Sequence, residues 1–576
     1  MTHDLVVKGG IVVDGTGLAR RRGDVAVTDG VITHVGHVPD VAGATMVIDA
    51  TGRFVAPGII DAHTHYDPQL TFDPYARTSC FHGVTTVLAG NCGFSLAPTR
   101  ADDRDYITRM FAKVEGMDPV ALSGVQWDFE TFAEYLDARR GSLGVNLACF
   151  IGHSSLRRYV MGPDASEREA TATEIDRMRV VVRDAMAAGA AGFSSSHAPT
   201  QLDGDGRPIP SRRASTDELK ALVAEAGAAG GGSVSYLPAS SIGGLDEADK
   251  QLLIDLGVSS RLPIVIQGLG GRTKLEAPGA GWPDALAFLE RAGDQGAAIF
   301  SLLRNHPFDR VFNLADGTQL YDGVPAWRDL LALDHDAKLA ALADPAQREH
   351  LRHGIEHPNT DPDAGSTLPP PRFEVTFVDV VADPAHDKFA KRTIADIAAE
   401  LGEAPADVML DLAVAEDLRT VFRWENKTES WEGAVREAIQ HPAMIVGVSD
   451  GGAHLDRDDG ADWSSYFLRF WVYQQRLWSL EEGVRQLTQV PAALCGFANR
   501  GMLLPGYAAD LMIFDDTVAP ATKVLTHDLP GDAARFTALP QGVHATIVNG
   551  VPIVLDGEIT GATPGQIVRP AGTGAR

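Results

Sequence analysis

Two textures of apolar and polar positions alternate along the chain. Over residues 5–49, short β-branched runs are cut by Gly and Asp turns, as in "LVVKGGIVVDGTG", "DVAVTDGVITHVG" and "TMVIDATG", the spacing of hairpins in a small antiparallel unit. The same texture returns after "GMLLPGYAADLMIFD", in "ATIVNGVPIVLDGEI". The two ends, 1–57 and 501–576, are therefore expected to complete one small β-sandwich around an inserted middle. That middle, 58–500, has strand-like apolar runs in "FVAPGIIDAHTH", "GVTTVLAGNCG", "VNLACFIGH", "AAGFSSSH", "GGSVSYLP", "LPIVIQGLG", "AAIFSLLRN" and "AMIVGVSDGG", most of them separated by helical patterns. About eight strand-helix units suffice to close a barrel, so the fold class is α/β. Ser215 with Glu218, and Ser479 with Glu482, fit capping boxes at helix starts. The longest interruption, about 305–375, follows the seventh run and contains "LPPPRF". In a barrel, an insertion on that side would act as a lid.

Composition narrows the class without choosing the chemistry. The length of 576 residues would allow three or four domains or one elaborated barrel, and 44% apolar with 22% charged residues is an ordinary globular profile. Lys and Arg number 50 against 77 Asp and Glu, giving a formal charge of -27 with no basic stripe for nucleic acid or anionic lipid. The start has no basic segment followed by an apolar one, and no apolar run approaches the roughly 20 residues of a membrane span. A cytoplasmic protein acting on a small molecule is the expectation. Cys80, Cys92, Cys149 and Cys495 form no paired motif, and in a reducing compartment they are free thiols or ligands.

The candidate chemistry begins where the first barrel run ends. Side chains two apart in a strand share a side, so His63 and His65 converge and could grip one divalent ion. The bland alternative is a pair of solvated or backbone-bonded histidines. Asp450, closing the apolar run of the last strand ahead of two glycines, should emerge beside them. There it could bind the ion and take a proton from water. A structural Asp in an Asp-Gly turn is its alternative.

"PGIIDAHTH", "GVTTVLAGNCGFS", Gly152-His153, "RTIADIAAELGEAPADVMLDL", "VGVSDGG" and "PGYAADLMIFD" together resemble the amidohydrolase superfamily, in particular its D-aminoacylase (N-acyl-D-amino-acid deacylase) branch. The resemblance spans nearly the whole chain. It implies a distorted (β/α)8 TIM barrel with a small β-sandwich, and amide hydrolysis by metal-activated water, usually with zinc. By position, His63 and His65 match the strand-one ligands, Cys92 the branch's cysteine ligand, and Asp450 the strand-eight acid. Independently, a thiolate at the end of strand two would reach the ion and zinc accepts sulfur, although an unpaired cysteine is also commonly a buried free thiol.

The departures are as informative. The family places a histidine on each of strands five and six, whereas this chain has Ser235 and Tyr236 in the one and Gln267 in the other. No lysine for a bridging carbamate ends strand four. One divalent ion, zinc, is therefore expected on His63, His65, Asp450 and Cys92. His153, His197 and His454 could serve as ligands, acid-base groups or substrate donors, with a non-metal role favoured. Tyr236 and Gln267 are candidates for hydrogen bonds to substrate. Arg304, at the end of strand seven, is a candidate anion clamp or a surface salt-bridge partner. The leading function is cleavage of an amide, N-acyl-amino-acid-like or cyclic. Two rivals stand beside it: the same fold and metal used on a lactone or C–C bond, or a non-catalytic barrel acting as a binding or scaffold subunit. Related barrels often assemble, so a homo-oligomer is also an expectation.

Overall fold

The computed structural model describes residues 3–241, 244–267, 269, 281–306, 310–321, 323–357, 372–425, 429–454 and 460–571. Each of the eight apolar runs carries a strand: Ile59–Asp61, Val84–Ala89, Asn146–Gly152, Gly192–Ser196, Ser233–Leu237, Ile264–Gln267, Ile299–Leu303 and Met444–Val446. They pair parallel and in chain order in one curled sheet, and are called strands one to eight below. Strands two and three are buried along their whole length, which is why they show no alternation of apolar and polar positions. The two edges of the curl meet just beyond the strands. Thr64 bridges Gly451 in parallel, the His65 N–H donates to Gly451 O at 2.8 Å, and the Asp450 N–H donates to His63 O at 3.3 Å.

Both chain ends build a second, nine-stranded sheet. Leu511–Pro520, from the C-terminal part, lies antiparallel to Phe54–Pro57, which in turn pairs parallel with Leu5–Val12. Val7, Val25, Val55, Leu511, Ile513 and Ile547 share its core. The chain steps from this sheet into strand one at Gly58, where a Cβ would lie 2.2 Å from Thr85 Oγ1; only glycine allows the two sheets to approach so closely.

Between strands seven and eight the chain forms a body with its own core, running from Phe312 to Trp424. Its three-stranded sheet joins Arg310–Phe312 and Thr376–Val380 to Val421–Trp424, and Tyr321 stacks on Trp327 at 4.3 Å. This body extends beyond the interruption at 305–375, and the prolines at 369–371 fall outside the described residues.

One buried ionic network links strands three and four to the helix Thr216–Ala228. Arg157 Nη1 donates to Glu218 Oε1 at 2.6 Å, and His153 Nε2 lies 2.9 Å from the same oxygen. His153 Nδ1 lies 2.9 Å from Ser195 Oγ. All three ionisable side chains are fully buried. Burial raises the Glu218 pKa, but His153 and Arg157 outweigh it and hold the carboxyl below the ordinary glutamate value. Its contribution to stability is therefore present above the unfolded pKa and lost as pH falls through the folded one. Removing one partner of such a pair strands a buried charge. Arg157→Ala is expected to destabilise the fold by about 3–5 kcal/mol, read from urea unfolding at neutral pH; an unchanged midpoint would show that the pair carries no such weight.

Candidate metal centre

Strand one ends at Asp61, and His63 and His65 follow in the segment just beyond it. Asp61 is fully buried and acts as a bracket: its Oδ1 accepts the His63 N–H at 3.3 Å, and its Oδ2 accepts Trp463 Nε1–H at 3.1 Å. Burial pushes its pKa up to about 7 despite these donors. The imidazoles of His63 and His65 stand edge to face, centroids 5.3 Å apart. Burial pushes the His65 pKa down to about 4 against the opposing pull of Asp450, so its ring is neutral at physiological pH and keeps a lone pair for a cation.

Cys92 comes from the turn after strand two. Ligand atoms of His63, His65 and Cys92 all lie within 4.8 Å of one another, and all three side chains are buried. Cys92 Sγ is 3.6 Å from His63 Nε2, and Asp450 Oδ1 is 3.4 Å from the same nitrogen and 4.0 Å from His65 Nε2. Direct charge-assisted hydrogen bonds would be about 2.7–2.9 Å. Two donors bonded at about 2.0–2.3 Å to one tetrahedral ion stand about 3.3–3.6 Å apart. Imidazole, thiolate and carboxylate at these spacings fit a divalent ion, and the sulfur favours zinc.

Backbone strain holds two of these groups in place. Cys92 and Asp450 have positive φ, 54° and 55°, as does His454 at 52°, a conformation that L-residues keep only where surroundings impose it. Gly452 (φ 88°) lets the strand-eight loop press against strand one, since a Cβ there would lie 2.8 Å from His65 O. Arg304, leaving strand seven, donates from Nη2 to Asp450 Oδ2 at 2.7 Å, and both side chains are mostly buried. Arg304 is thus the partner of the acid rather than a surface residue. Burial would raise the Asp450 pKa, but the Arg304 guanidinium and the rings of His63, His65 and His454 overcome it and hold the carboxylate well below its usual range. Gln267 ends strand six with its Nε2 2.7 Å from each ring nitrogen of His63.

The remaining candidates lie differently. Both ring nitrogens of His153 are occupied by Ser195 and Glu218, so it offers none to an ion or substrate. His197 Nδ1 and Tyr236 Oη pair with each other at 2.9 Å. The His454 backbone N–H donates to Glu115 O at 2.7 Å, while its ring acts on the Asp450 carboxylate. Besides Asp61, two acids lie outside the sequence candidates. Asp67, two residues past His65, is buried and accepts the Gly90 N–H at 3.0 Å; the strand period could have found it. Glu115 places Oε2 3.4 Å from His65 Nε2, and only the glycine that follows it, a helix terminator, hints at its position.

Comparisons with known proteins agree with this architecture. A family model described as the amidohydrolase family matches residues 46–554. An N-acyl-D-aspartate deacylase of Alcaligenes xylosoxydans xylosoxydans is 31% identical over 98% of this chain and 95% of its own length. The structure of N-acyl-D-glutamate deacylase from Bordetella bronchiseptica, complexed with zinc and a phosphonate inhibitor, superposes with a TM-score of 0.66 at 25% identity, covering 99% of this chain and 100% of that one. A D-aminoacylase with a binuclear metal centre, described by one-metal activation and second-metal attenuation, superposes with a TM-score of 0.64 at 27% identity, covering 98% and 100%. A family model matched over residues 46–554 and a relative 31% identical along nearly the whole chain place this chain in the amidohydrolase family.

Proposed function

We propose that the protein hydrolyses the amide bond of an N-acyl-amino acid or a cyclic amide, with one divalent ion, zinc, held by His63, His65, Cys92 and Asp450. The observation that carries this reading is the cluster itself: three buried donors within 4.8 Å, with Asp450 3.4 Å from His63 Nε2. An ion bound there would supply Lewis acidity to the scissile carbonyl and lower the pKa of the attacking water. Asp450, kept ionised by Arg304, accepts a proton from that water as its oxygen attacks the carbonyl carbon. It then returns the proton to the nitrogen as the C–N bond breaks, leaving a carboxylate and an amine. Arg304 fixes which Asp450 oxygen faces the reaction, because its guanidinium occupies Oδ2.

Three further points belong to the same reading. The ion count of one rests on Tyr236 and Gln267 standing where the resembled branch has histidines. The curled sheet is read as a distorted (β/α)8 barrel over 58–500, and the nine-stranded sheet as a β-sandwich built from 1–57 and 501–576. The insertion after strand seven departs from the chain beside Arg304, which supports a role as a lid.

Elemental analysis of the purified protein together with a substrate panel tests this. About one zinc per chain is expected, with turnover of an N-acyl-D-amino acid or cyclic imide that chelation abolishes. Two tightly held ions would overturn the count, and turnover of lactones with every amide refused would overturn the reaction.

A further inference from the structure

We propose that Glu115 is an additional ligand of the divalent ion, a carboxylate delivered from a helix rather than from a strand end. This rests on the metal-centre reading above. Glu115 is the last residue of the helix Arg104–Glu115, which Gly116 terminates with φ 59°. Its side chain is only 5% exposed, and its Oε2 faces His65 Nε2 at 3.4 Å. That spacing is longer than a charge-assisted hydrogen bond, and matches two donors sharing one ion. Asp450 Oδ1, on a side chain 17% exposed, faces the same nitrogen at 4.0 Å, so two carboxylates converge on one imidazole.

The position of Glu115 is held from both sides. Helix termination at Gly116 fixes where its backbone stops. The His454 N–H, donating to Glu115 O at 2.7 Å, ties that backbone to the loop that carries Asp450. The helix between strands two and three thereby contributes a donor where Tyr236 and Gln267 contribute no imidazole.

Zinc and cobalt(II) titrations of the native chain, Glu115→Gln and His63→Ala test the assignment, read by equilibrium dialysis and by cobalt d–d absorption. For Glu115→Gln, an affinity loss of about a hundredfold or more is expected, with a changed cobalt spectrum because one oxygen donor has left the shell. Unchanged affinity overturns the proposal. A weakened affinity with an unchanged spectrum also overturns it, since Glu115 would then only support His65. A native chain that binds no ion overturns the metal-centre reading, whereas native binding lost in His63→Ala but retained in Glu115→Gln overturns this proposal alone. Should Glu115→Gln fail to fold by circular dichroism, a crystal structure of the zinc-loaded native chain decides. A Glu115 oxygen about 2.0–2.2 Å from the ion is expected, and one beyond about 3 Å refutes it.

Discussion

His63→Ala is expected to empty the metal centre and to reduce hydrolysis by about four orders of magnitude or more. The imidazole is the hub of the cluster: Cys92 Sγ, Asp450 Oδ1 and Gln267 Nε2 all lie within 3.6 Å of its Nε2. Removing it takes away one ligand and also unfixes three neighbours. A Lewis acid supplies several kcal/mol of transition-state stabilisation, and each 1.4 kcal/mol is about tenfold in rate, so losing the ion costs decades of kcat/KM. Elemental analysis and kcat/KM with zinc restored to the buffer would check this, alongside a melting temperature, because His63 is buried and its truncation also leaves a cavity. A variant that kept both its ion and its rate would remove His63 from the site.

Asp450→Asn separates proton transfer from ion binding. The amide preserves the shape of the side chain and retains an oxygen toward His63, but it cannot accept a proton at neutral pH. General acid-base groups contribute about 10²–10⁴-fold. The expected result is a fall in kcat of about 10³-fold or more with KM within a fewfold of native. Metal content should fall less than in His63→Ala. The substitution also leaves the Arg304 guanidinium, now 2.7 Å from Asp450 Oδ2, without its carboxylate, which adds to the loss. A kcat within tenfold of native would mean that another group removes the proton.

These two expectations stand on residues that the sequence itself exposes, for a physical reason. Parallel strands covered on both faces read as largely apolar runs, so His63, His65, Cys92 and Asp450, which follow directly after three of them, are visible as chemistry. What was not legible came from outside the strands. Glu115 sits at the end of an ordinary amphipathic helix, and apart from the glycine that follows it nothing local distinguishes it from a surface glutamate. Glu218 carried a false signal. Ser215 does accept the Glu218 N–H at 3.2 Å, but the carboxylate turns inward to Arg157 instead of closing the capping box. Full boxes form instead at Thr131 with Glu134 and Thr171 with Glu174. The body between strands seven and eight was visible only as an interruption at 305–375, because its strand Val421–Trp424 returns from far along the chain to pair with Arg310–Phe312. Arg304 was legible by position, whereas its commitment to Asp450 depends on the closing of the curl.

The sheet made from both chain ends sets an order of events during synthesis. Phe54–Pro57 has Leu511–Phe514 as its antiparallel neighbour, about 450 residues further along. At roughly 5–20 residues per second, the ribosome takes on the order of half a minute or more to supply that neighbour. Until then the nascent chain presents an unpaired β edge immediately upstream of His63, a template for pairing with other chains. The segment Leu511–Phe514 therefore completes the sheet that leads into His63 and His65, and a chain released before it would be an aggregation hazard.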